Sequence, residues 1–94
     1  MNLKNIICKE FSIEVSELEG KSQCRNLVDA RRVYSLLATY VNKLTLKEVG
    51  KDLNRDHSSI IYQRRTASEL LSTDYNFRDK FETIKTLYLN ENSN

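Results

Sequence analysis

The stretch of sequence that decides the fold is TLKEVGKDLNRDHSSIIYQRRTASELL, residues 45–71. Thr45 is followed three positions later by Glu48, which is the spacing of a capping box at a helix start. Leucine and valine then recur at helical spacing, and a helix is predicted over residues 45–53. Gly50 lies inside this helix, where glycine costs about 1 kcal/mol relative to alanine, which indicates that a neighbouring helix packs closely against it.

A second helix is predicted after a short turn. Asn54 ends the first helix, because asparagine tolerates the left-handed backbone of a tight turn. Asp56 is the N-cap of the second helix, predicted over residues 56–71, and Ile60 and Ile61 begin its buried face. Two helices joined by about three turn residues form a helix-turn-helix, whose second helix enters the major groove of DNA by its N-terminal end. A corner between two helices of an ordinary bundle gives the same pattern.

The start of the second helix is rich in groups that suit an anionic partner. Backbone N–H groups of the first turn point outward there, and the helix dipole places partial positive charge at this end. The side chains that accompany them are Arg55, His57, Ser58 and Ser59, with Arg64 and Arg65 about two turns further on. DNA is the anionic partner that this combination indicates.

The charge of the chain is unevenly distributed. The formal net charge is only +2, but residues 21–66 contain ten lysines and arginines against four acidic residues, a balance of +6 that leaves −4 on the two flanks. A basic middle between acidic ends is typical of a nucleic-acid-binding protein. A solvated, lysine-rich helix surface gives the same count.

The remaining sequence predicts an all-α bundle. Apolar residues recur at helical spacing, and the chain contains no proline. We expect one domain over residues 1–94, with about five helices near residues 2–11, 26–42, 45–53, 56–71 and 74–89, a short helical turn at 16–19 and a frayed tail over 90–94. Asn26 is the expected N-cap of the long helix in the middle, and residues 21–25 before it are expected to form an exposed loop.

Few features of the sequence indicate an enzyme or a metal site. His57 stands beside Asp56 and Ser58, but adjacent residues at a helix start point in different directions, and no oxyanion-hole motif accompanies them. Cys8 and Cys24 lack zinc-ligand spacing and are interpreted as small, semi-buried residues with reduced thiols. There is no secretory signal and no apolar run near the roughly 18 residues of a membrane helix. We therefore expect a cytoplasmic, non-enzymatic protein without a cofactor, metal, membrane or small-molecule partner.

Two segments of the deciding stretch resemble a known signature. LTLKEVG at residues 44–50, then Leu53, then RDHSSIIY at residues 55–62 are similar to the motif of the C-terminal DNA-binding domain, domain IV, of the bacterial replication initiator DnaA. The resemblance extends over residues 5–87. It implies an all-helical fold of the Trp-repressor-like helix-turn-helix type that binds double-stranded DNA at a short asymmetric site, in recognition of a replication origin or in its regulation.

The resemblance, together with side-chain chemistry, implies roles for individual residues. Base contacts fall to Asp56, His57 and Ser58, contacts with the DNA backbone to Arg55, Ser59, Arg31, Arg32, Arg64, Arg65 and Lys47, and a minor-groove loop to Lys21, Gln23 and Arg25. Aspartate accepts a hydrogen bond from a cytosine amino group, a hydroxyl serves either base type, and arginine binds phosphate. Ser58 lacks the methyl group with which a threonine would touch a thymine methyl.

Three departures from the family pattern leave alternatives open. Asn54 stands where the family has two glycines, Gln23 stands where an arginine reaches the minor groove, and the family's nucleotide-binding ATPase domain is missing, as in an excised fragment or a free-standing relative. A protein-interaction module that keeps the fold without reading DNA, and a free-standing transcriptional or mobile-element regulator, are the alternatives. RNA binding is disfavoured, because no aromatic platform on which bases could stack is evident on the surface. The aromatic residues that fall on predicted core stripes are Tyr34, Tyr40, Phe77 and Phe81.

Overall fold

Six helices form the part of the chain that the computed structural model describes, residues 2–91, and this part contains no strand. They are α1 (Leu3–Phe11), α2 (Val15–Leu18), α3 (Arg25–Tyr40), α4 (Leu46–Leu53), α5 (His57–Thr73) and α6 (Tyr75–Glu91). The predicted all-α bundle is confirmed. Its five long helices lie close to their predicted positions, and α2 is the short turn of helix expected near residues 16–19.

Helix α3 lies at the centre of the bundle. It packs against each of the other five helices, and its residues Val33, Leu37 and Ala38 are buried. Apolar residues from the other helices close the core around it, among them Ile7, Leu18, Val49, Leu53, Ile60, Ala67, Phe77 and Ile84. Each large aliphatic side chain removed from water stabilises the fold by roughly 1.5–3 kcal/mol. Because α4 and α5 both pack against α3, this burial fixes their positions.

The start of α3 differs from the prediction. The helix begins at Arg25 with Cys24 as its N-cap, and not at Asn26. The amide of Asn26 instead donates a hydrogen bond of 2.8 Å to the carbonyl of Phe11 at the end of α1. Asn26 therefore ties α3 to α1, and the exposed loop before α3 is one residue shorter than expected, covering residues 21–24.

The two cysteines, both free thiols, lie in contrasting surroundings. Cys8 is buried in the core, and burial raises the pKa of its thiol. Cys24 is exposed, so its interpretation as a semi-buried residue is wrong. The reason is its position as the N-cap of α3, where the loop joins the helix at the edge of the bundle.

The helix-turn-helix is built from the local contacts that its sequence predicts. In the capping box, Thr45 Oγ1 accepts a hydrogen bond from the N–H of Glu48 at 3.1 Å, and the Glu48 carboxylate accepts one from the N–H of Thr45 at 2.9 Å. Hydrogen bonding of the Glu48 carboxylate to the Thr45 backbone, and then to its side chain, lowers the pKa of Glu48. Asn54 ends α4 in the left-handed conformation, with φ 59°. Asp56 caps α5, its Oδ1 accepting from the N–H of Ser59 at 2.9 Å.

Gly50 is required by a close backbone approach. A Cβ atom at this position would lie 2.5 Å from the carbonyl oxygen of Arg55, and the carbonyl of Gly50 accepts a hydrogen bond of 2.7 Å from the N–H of Arg55. The expected close approach exists, but its partner is the turn before α5 and not a neighbouring helix. The turn is short because it folds back directly onto the last turns of α4.

Helix α6 packs against α1 and α5. Its N-terminus is capped by Asp74, whose carboxylate accepts a hydrogen bond from the N–H of Phe77 at 3.1 Å. The helix continues to Glu91, so the predicted frayed tail does not begin at residue 90. The rest of that tail, residues 92–94, lies outside the described residues.

Candidate nucleic-acid interface

The first turn of α5 presents polar side chains to solvent. His57 and Ser58 are exposed, and neither has a hydrogen-bond or ion-pair partner within residues 2–91. The carboxylate of Asp56 is exposed as well. Its Oδ1 caps the N–H of Ser59, which leaves Oδ2 open to solvent. The start of α5 therefore offers donors and acceptors that the fold itself does not use.

These residues begin a stripe on the outer face of the helix, which we call the outer stripe and define as His57, Ser58, Ile61 and Arg65. All four residues are exposed. The prediction that Ile61 is buried beside Ile60 is wrong, because Ile61 is 41% exposed. Neighbouring residues are about 100° apart around a helix axis, and the buried face of α5 is narrow enough that Ile61 falls outside it. The buried residues of α5 are Ile60, Gln63 and Ala67.

A buried polar contact orients α5, and the sequence analysis missed it. Ser35 Oγ of α3 donates a hydrogen bond of 3.1 Å to Gln63 Oε1 of α5, and both side chains are buried. Since an unpaired polar group in the core is costly, this contact fixes the rotation of α5 about its axis and the direction of the outer stripe. The signal in the sequence is a glutamine three residues after Ile60, on the apolar face.

Arg64 and Arg65 have different surroundings although they are neighbours. Arg65 is exposed, whereas Arg64 is half-buried with its guanidinium 5.4 Å from the centre of the Tyr40 ring. Arg64 Nε is buried without a hydrogen-bond partner in the described part of the chain. Tyr40 is 58% exposed, so its predicted place in the core is wrong. It is the last residue of α3, and its ring lies against the Arg64 guanidinium and not in the core.

Arg31 and Arg32 are both covered by the protein but have different partners. Arg31 is only 1% exposed, and burial lowers the pKa of its guanidinium, as does the nearby charge of Arg55. Arg31 donates hydrogen bonds of 2.6–3.0 Å to the backbone carbonyls of Glu17, Leu18, Gly20 and Ser22. The group predicted to contact the DNA backbone is thus enclosed by the chain. Arg32, also largely covered, pairs with Asp29 at 3.2 Å.

The loop over residues 21–24 and the start of α5 form the walls of an open cleft. The cleft has a volume of about 400 Å³ and is lined by Lys21, Gln23, Asn54, Arg55, Asp56 and Ser59. The two loop residues in this list are exposed, and their side chains form no hydrogen bond or ion pair within residues 2–91. Arg25 belongs to α3 and forms ion pairs with Asp29 at 3.0 Å and Asp74 at 3.1 Å. The hydrogen bond and charge of Asp29 raise the pKa of Arg25.

Arg55 connects these two walls. Its half-buried guanidinium donates from Nη1 to the carbonyl of Leu53 at 2.8 Å and from Nη2 to the carbonyl of Gly20 at 2.6 Å. The side chain therefore reaches from the end of α4 to the residue before the loop. The Arg55 guanidinium, which was predicted to contact the DNA backbone, therefore donates to carbonyls of the protein itself.

Neither a metal-binding cluster nor a membrane-spanning helix is present among residues 2–91. Residues 2–91 contain no group of three or more histidine, cysteine, aspartate or glutamate side chains placed to hold a metal ion. None of the helices in this range is long and apolar enough to cross a membrane. The surface that combines the loop, the turn before α5 and the outer stripe is the candidate interface.

Comparison with known proteins identifies similar sequences. A family model described as the bacterial DnaA protein helix-turn-helix matches residues 1–66. The chromosomal replication initiator protein DnaA of Bacteroides fragilis (strain YCH46) is 33% identical over 89 residues, which cover 94% of this chain and 19% of that protein. The protein of the same name from Campylobacter jejuni subsp. jejuni serotype O:23/36 (strain 81-176) is 27% identical over 89 residues, covering 94% and 20%. The chain thus spans about a fifth of the length of these curated relatives.

Proposed function

Because the chain belongs to the helix-turn-helix family of bacterial DnaA, a non-catalytic DNA-binding domain, we propose that it binds double-stranded DNA and reads its sequence with α5. The main support is the start of α5, where exposed polar side chains without a partner in residues 2–91 meet the end of the helix that bears partial positive charge. Helix-turn-helix proteins insert this end of their second helix into the major groove.

Base contacts are assigned to Asp56, His57 and Ser58. Asp56 Oδ1 is occupied by the N–H of Ser59, so Oδ2 is the oxygen that can accept a hydrogen bond from a cytosine amino group. The Ser58 hydroxyl can donate or accept. Ile61 lies one turn further along the outer stripe, where its apolar side chain suits a thymine methyl group. It can supply the apolar contact that serine at position 58 lacks.

The exposed and half-exposed polar groups around this surface are proposed to hold the DNA backbone. They are Lys47, Ser59, Arg32, Arg64 and Arg65. Each phosphate neutralised adds about 0.9 to the slope of log affinity against log salt. We assign Arg31 and Arg55 a different role, the support of the loop, because their donors bind backbone carbonyls.

The loop over residues 21–24 is proposed to approach the DNA beside α5. Lys21 brings a positive charge, and the amide of Gln23 can donate to the base acceptors of the minor groove. Arg25 contributes less, because Asp29 and Asp74 already pair with its guanidinium. The loop therefore adds a weaker contact than an unpaired arginine would.

The names of the relatives indicate a target. They are chromosomal replication initiator proteins, and we propose for this chain a short site in duplex DNA at a replication origin or where its use is regulated. Chromosomal DNA in bacteria lies in the cytoplasm, so the proposal places the protein there. The chain would act as one reading domain over residues 1–94.

Binding-site selection followed by fluorescence anisotropy tests the proposal. A random duplex library should converge on one short motif, and affinity for the selected duplex should fall as salt rises. His57→Ala should weaken this binding by about 1–3 kcal/mol without changing the urea unfolding midpoint, because the exposed His57 side chain forms no hydrogen bond or ion pair within residues 2–91. Arg78→Gln, on the exposed surface of α6, is the control. Absence of binding at low salt, or unchanged binding by His57→Ala, would contradict the proposal.

A further inference from the structure

The carbonyl oxygen of Gly20 is a meeting point for two arginines from different parts of the chain. Nη2 of Arg31, on α3, donates to it at 3.0 Å, and Nη2 of Arg55, in the turn between α4 and α5, donates at 2.6 Å. No carboxylate within residues 2–91 accepts a hydrogen bond from either guanidinium. Placing two like charges together costs free energy, so the hydrogen bonds to backbone carbonyls hold this arrangement.

Each arginine also donates to other backbone carbonyls. Arg31 binds the carbonyls of Leu18 and Ser22, which precede and follow this glycine. Arg55 binds the carbonyl of Leu53, the last residue of α4. One guanidinium therefore fixes the segment to α3, and the other fixes it to the helix-turn-helix. We call the two guanidinium groups and the shared carbonyl the arginine clasp.

Lys4 supports the arginine clasp from α1. Its Nζ donates to the carbonyl of Asp52 at 2.6 Å and forms an ion pair with Glu19, the residue before the shared carbonyl. The Asp52 carboxylate in turn accepts a hydrogen bond of 2.6 Å from the hydroxyl of Tyr34. The segment before the loop is thus connected to the end of α4 through Lys4 as well as through Arg55.

We propose that Arg55 is a positioning residue that fixes the loop over residues 21–24 relative to the start of α5, so that both elements meet DNA as one unit. The inference rests on the proposed function. A loop already held in its bound position loses less conformational freedom on binding. Releasing the arginine clasp weakens the contact that Lys21 and Gln23 make with DNA, although Arg55 itself binds no phosphate.

Charge-conserving substitution distinguishes positioning from phosphate contact. Arg55→Lys keeps the charge, but an ammonium group cannot replace the planar fork that reaches two carbonyls. We expect roughly tenfold weaker binding to the selected duplex, the scale of one charge-assisted hydrogen bond. Arg55→Gln, which also removes the charge, should have the same salt slope as Arg55→Lys. Arg65 is the matched comparison, because it is exposed and its side chain forms no hydrogen bond or ion pair within residues 2–91. Arg65→Gln should lower the salt slope by about 0.9, and Arg65→Lys should preserve it.

A double-mutant cycle measures the connection between Arg55 and the loop. Lys21→Ala should cost at least about threefold less affinity in the Arg55→Lys background than in the wild type, a coupling expected only for residues that act together. Combined with Arg65→Gln, the same substitution should be additive. Additivity with Arg55→Lys, or a salt slope lower by about 0.9 in Arg55→Gln than in Arg55→Lys, would overturn the inference.

The free protein provides a second readout that does not depend on DNA. Backbone amide order parameters from NMR relaxation should fall for residues 21–24 in Arg55→Lys and stay unchanged in Arg65→Lys. Arg55→Gln replaces the lysine variant if the far-UV circular dichroism of the latter shows lost helix. Unchanged order parameters would overturn the positioning role. A wild-type chain that binds no duplex would instead overturn the proposed function.

Discussion

The outer stripe of α5 and the loop side of the candidate interface use their polar groups in opposite ways. On the outer stripe, the side chains of His57 and Arg65 face solvent and form no hydrogen bond or ion pair with another described residue. On the loop side, Arg31 and Arg55 donate to backbone carbonyls, and Arg25 pairs with carboxylates. The polar side chains of this basic segment are therefore of two kinds. Some are available to a partner, and others hold the backbone that shapes the surface.

Backbone chemistry explains this division. The N-terminus of α5 exposes N–H groups, which need acceptors, and Asp56 supplies one. Residues 17–22 instead present carbonyls at the end of α2 and in the following segment, and carbonyls need donors. A guanidinium with five N–H groups satisfies several of them together. An arginine close to these carbonyls is therefore drawn inward.

The largest effect is expected from removing the buried arginine of the loop side. Arg31→Met keeps an apolar stem but leaves buried carbonyls without their donor, so the free energy of unfolding should fall by about 3–5 kcal/mol. Arg65→Met, on the outer stripe, should change it by less than about 0.5 kcal/mol. Urea unfolding followed by circular dichroism measures both variants. Equal losses would remove the distinction between the two regions.

The free energy of unfolding should also change at alkaline pH, through Tyr34 of α3. Burial raises the pKa of Tyr34 above its ordinary value of 10.0, and the hydrogen bond to Asp52 raises it further. Because the folded state retains the proton, the stability present below pH 10 should be lost above it by about 1.4 kcal/mol per pH unit. Tyr34→Phe should reduce this loss, and Tyr75→Phe, at a residue 84% exposed, should not. Identical pH profiles of urea unfolding for Tyr34→Phe and the wild type would refute the assignment.

On the outer stripe, Ile61 provides a test of base reading by an apolar side chain. Replacing thymine with uracil in the selected duplex removes one methyl group and should weaken wild-type binding by about 0.8 kcal/mol at the contacted position. Ile61→Ala should lose this discrimination. Leu87→Ala, at an equally exposed residue of α6, is the control and should retain it. Anisotropy titrations that show the same discrimination in both variants would exclude a thymine contact by Ile61.

The smallest effect is expected from the ion pairs of Arg25. Asp74→Asn keeps an oxygen to cap the N–H of Phe77 but removes a carboxylate from the exposed Arg25 guanidinium. The free energy of unfolding should change by less than about 1 kcal/mol, as for other surface ion pairs. Affinity for the selected duplex should rise, because Arg25 becomes more available. A decrease in affinity would show that the pairing helps the interface.

The helix-turn-helix could be predicted from local signals. The capping box of Thr45 and Glu48, the left-handed Asn54 and the N-cap Asp56 each depend on residues within a few positions. The sequence therefore contains both partners of each contact at recognisable spacing. The position of Arg31 could not be found in this way, because its acceptors are backbone carbonyls 9 to 14 positions away. Every residue has such a carbonyl, so no side-chain pattern marks it.

The candidate interface was predictable only in part. The polar start of α5 follows from residue types, but the exposure of Ile61 and Tyr40 does not. Both residues lie beside a buried stripe of their helix. Whether such a residue is buried or exposed depends on how the helix packs against its neighbours, which the sequence does not show. The contact between Ser35 and Gln63 joins residues 28 positions apart, so it became apparent only when α3 and α5 were seen together.

Cys24 gives the protein a natural attachment point for a reporter dye. It is exposed where the loop joins α3, whereas Cys8 is buried and its raised pKa keeps the reactive thiolate scarce. A maleimide dye at neutral pH should therefore react with Cys24 in preference to Cys8, with no cysteine added or removed. Placed beside the loop, the dye would convert the wild-type chain into a fluorescent sensor for whatever occupies the cleft.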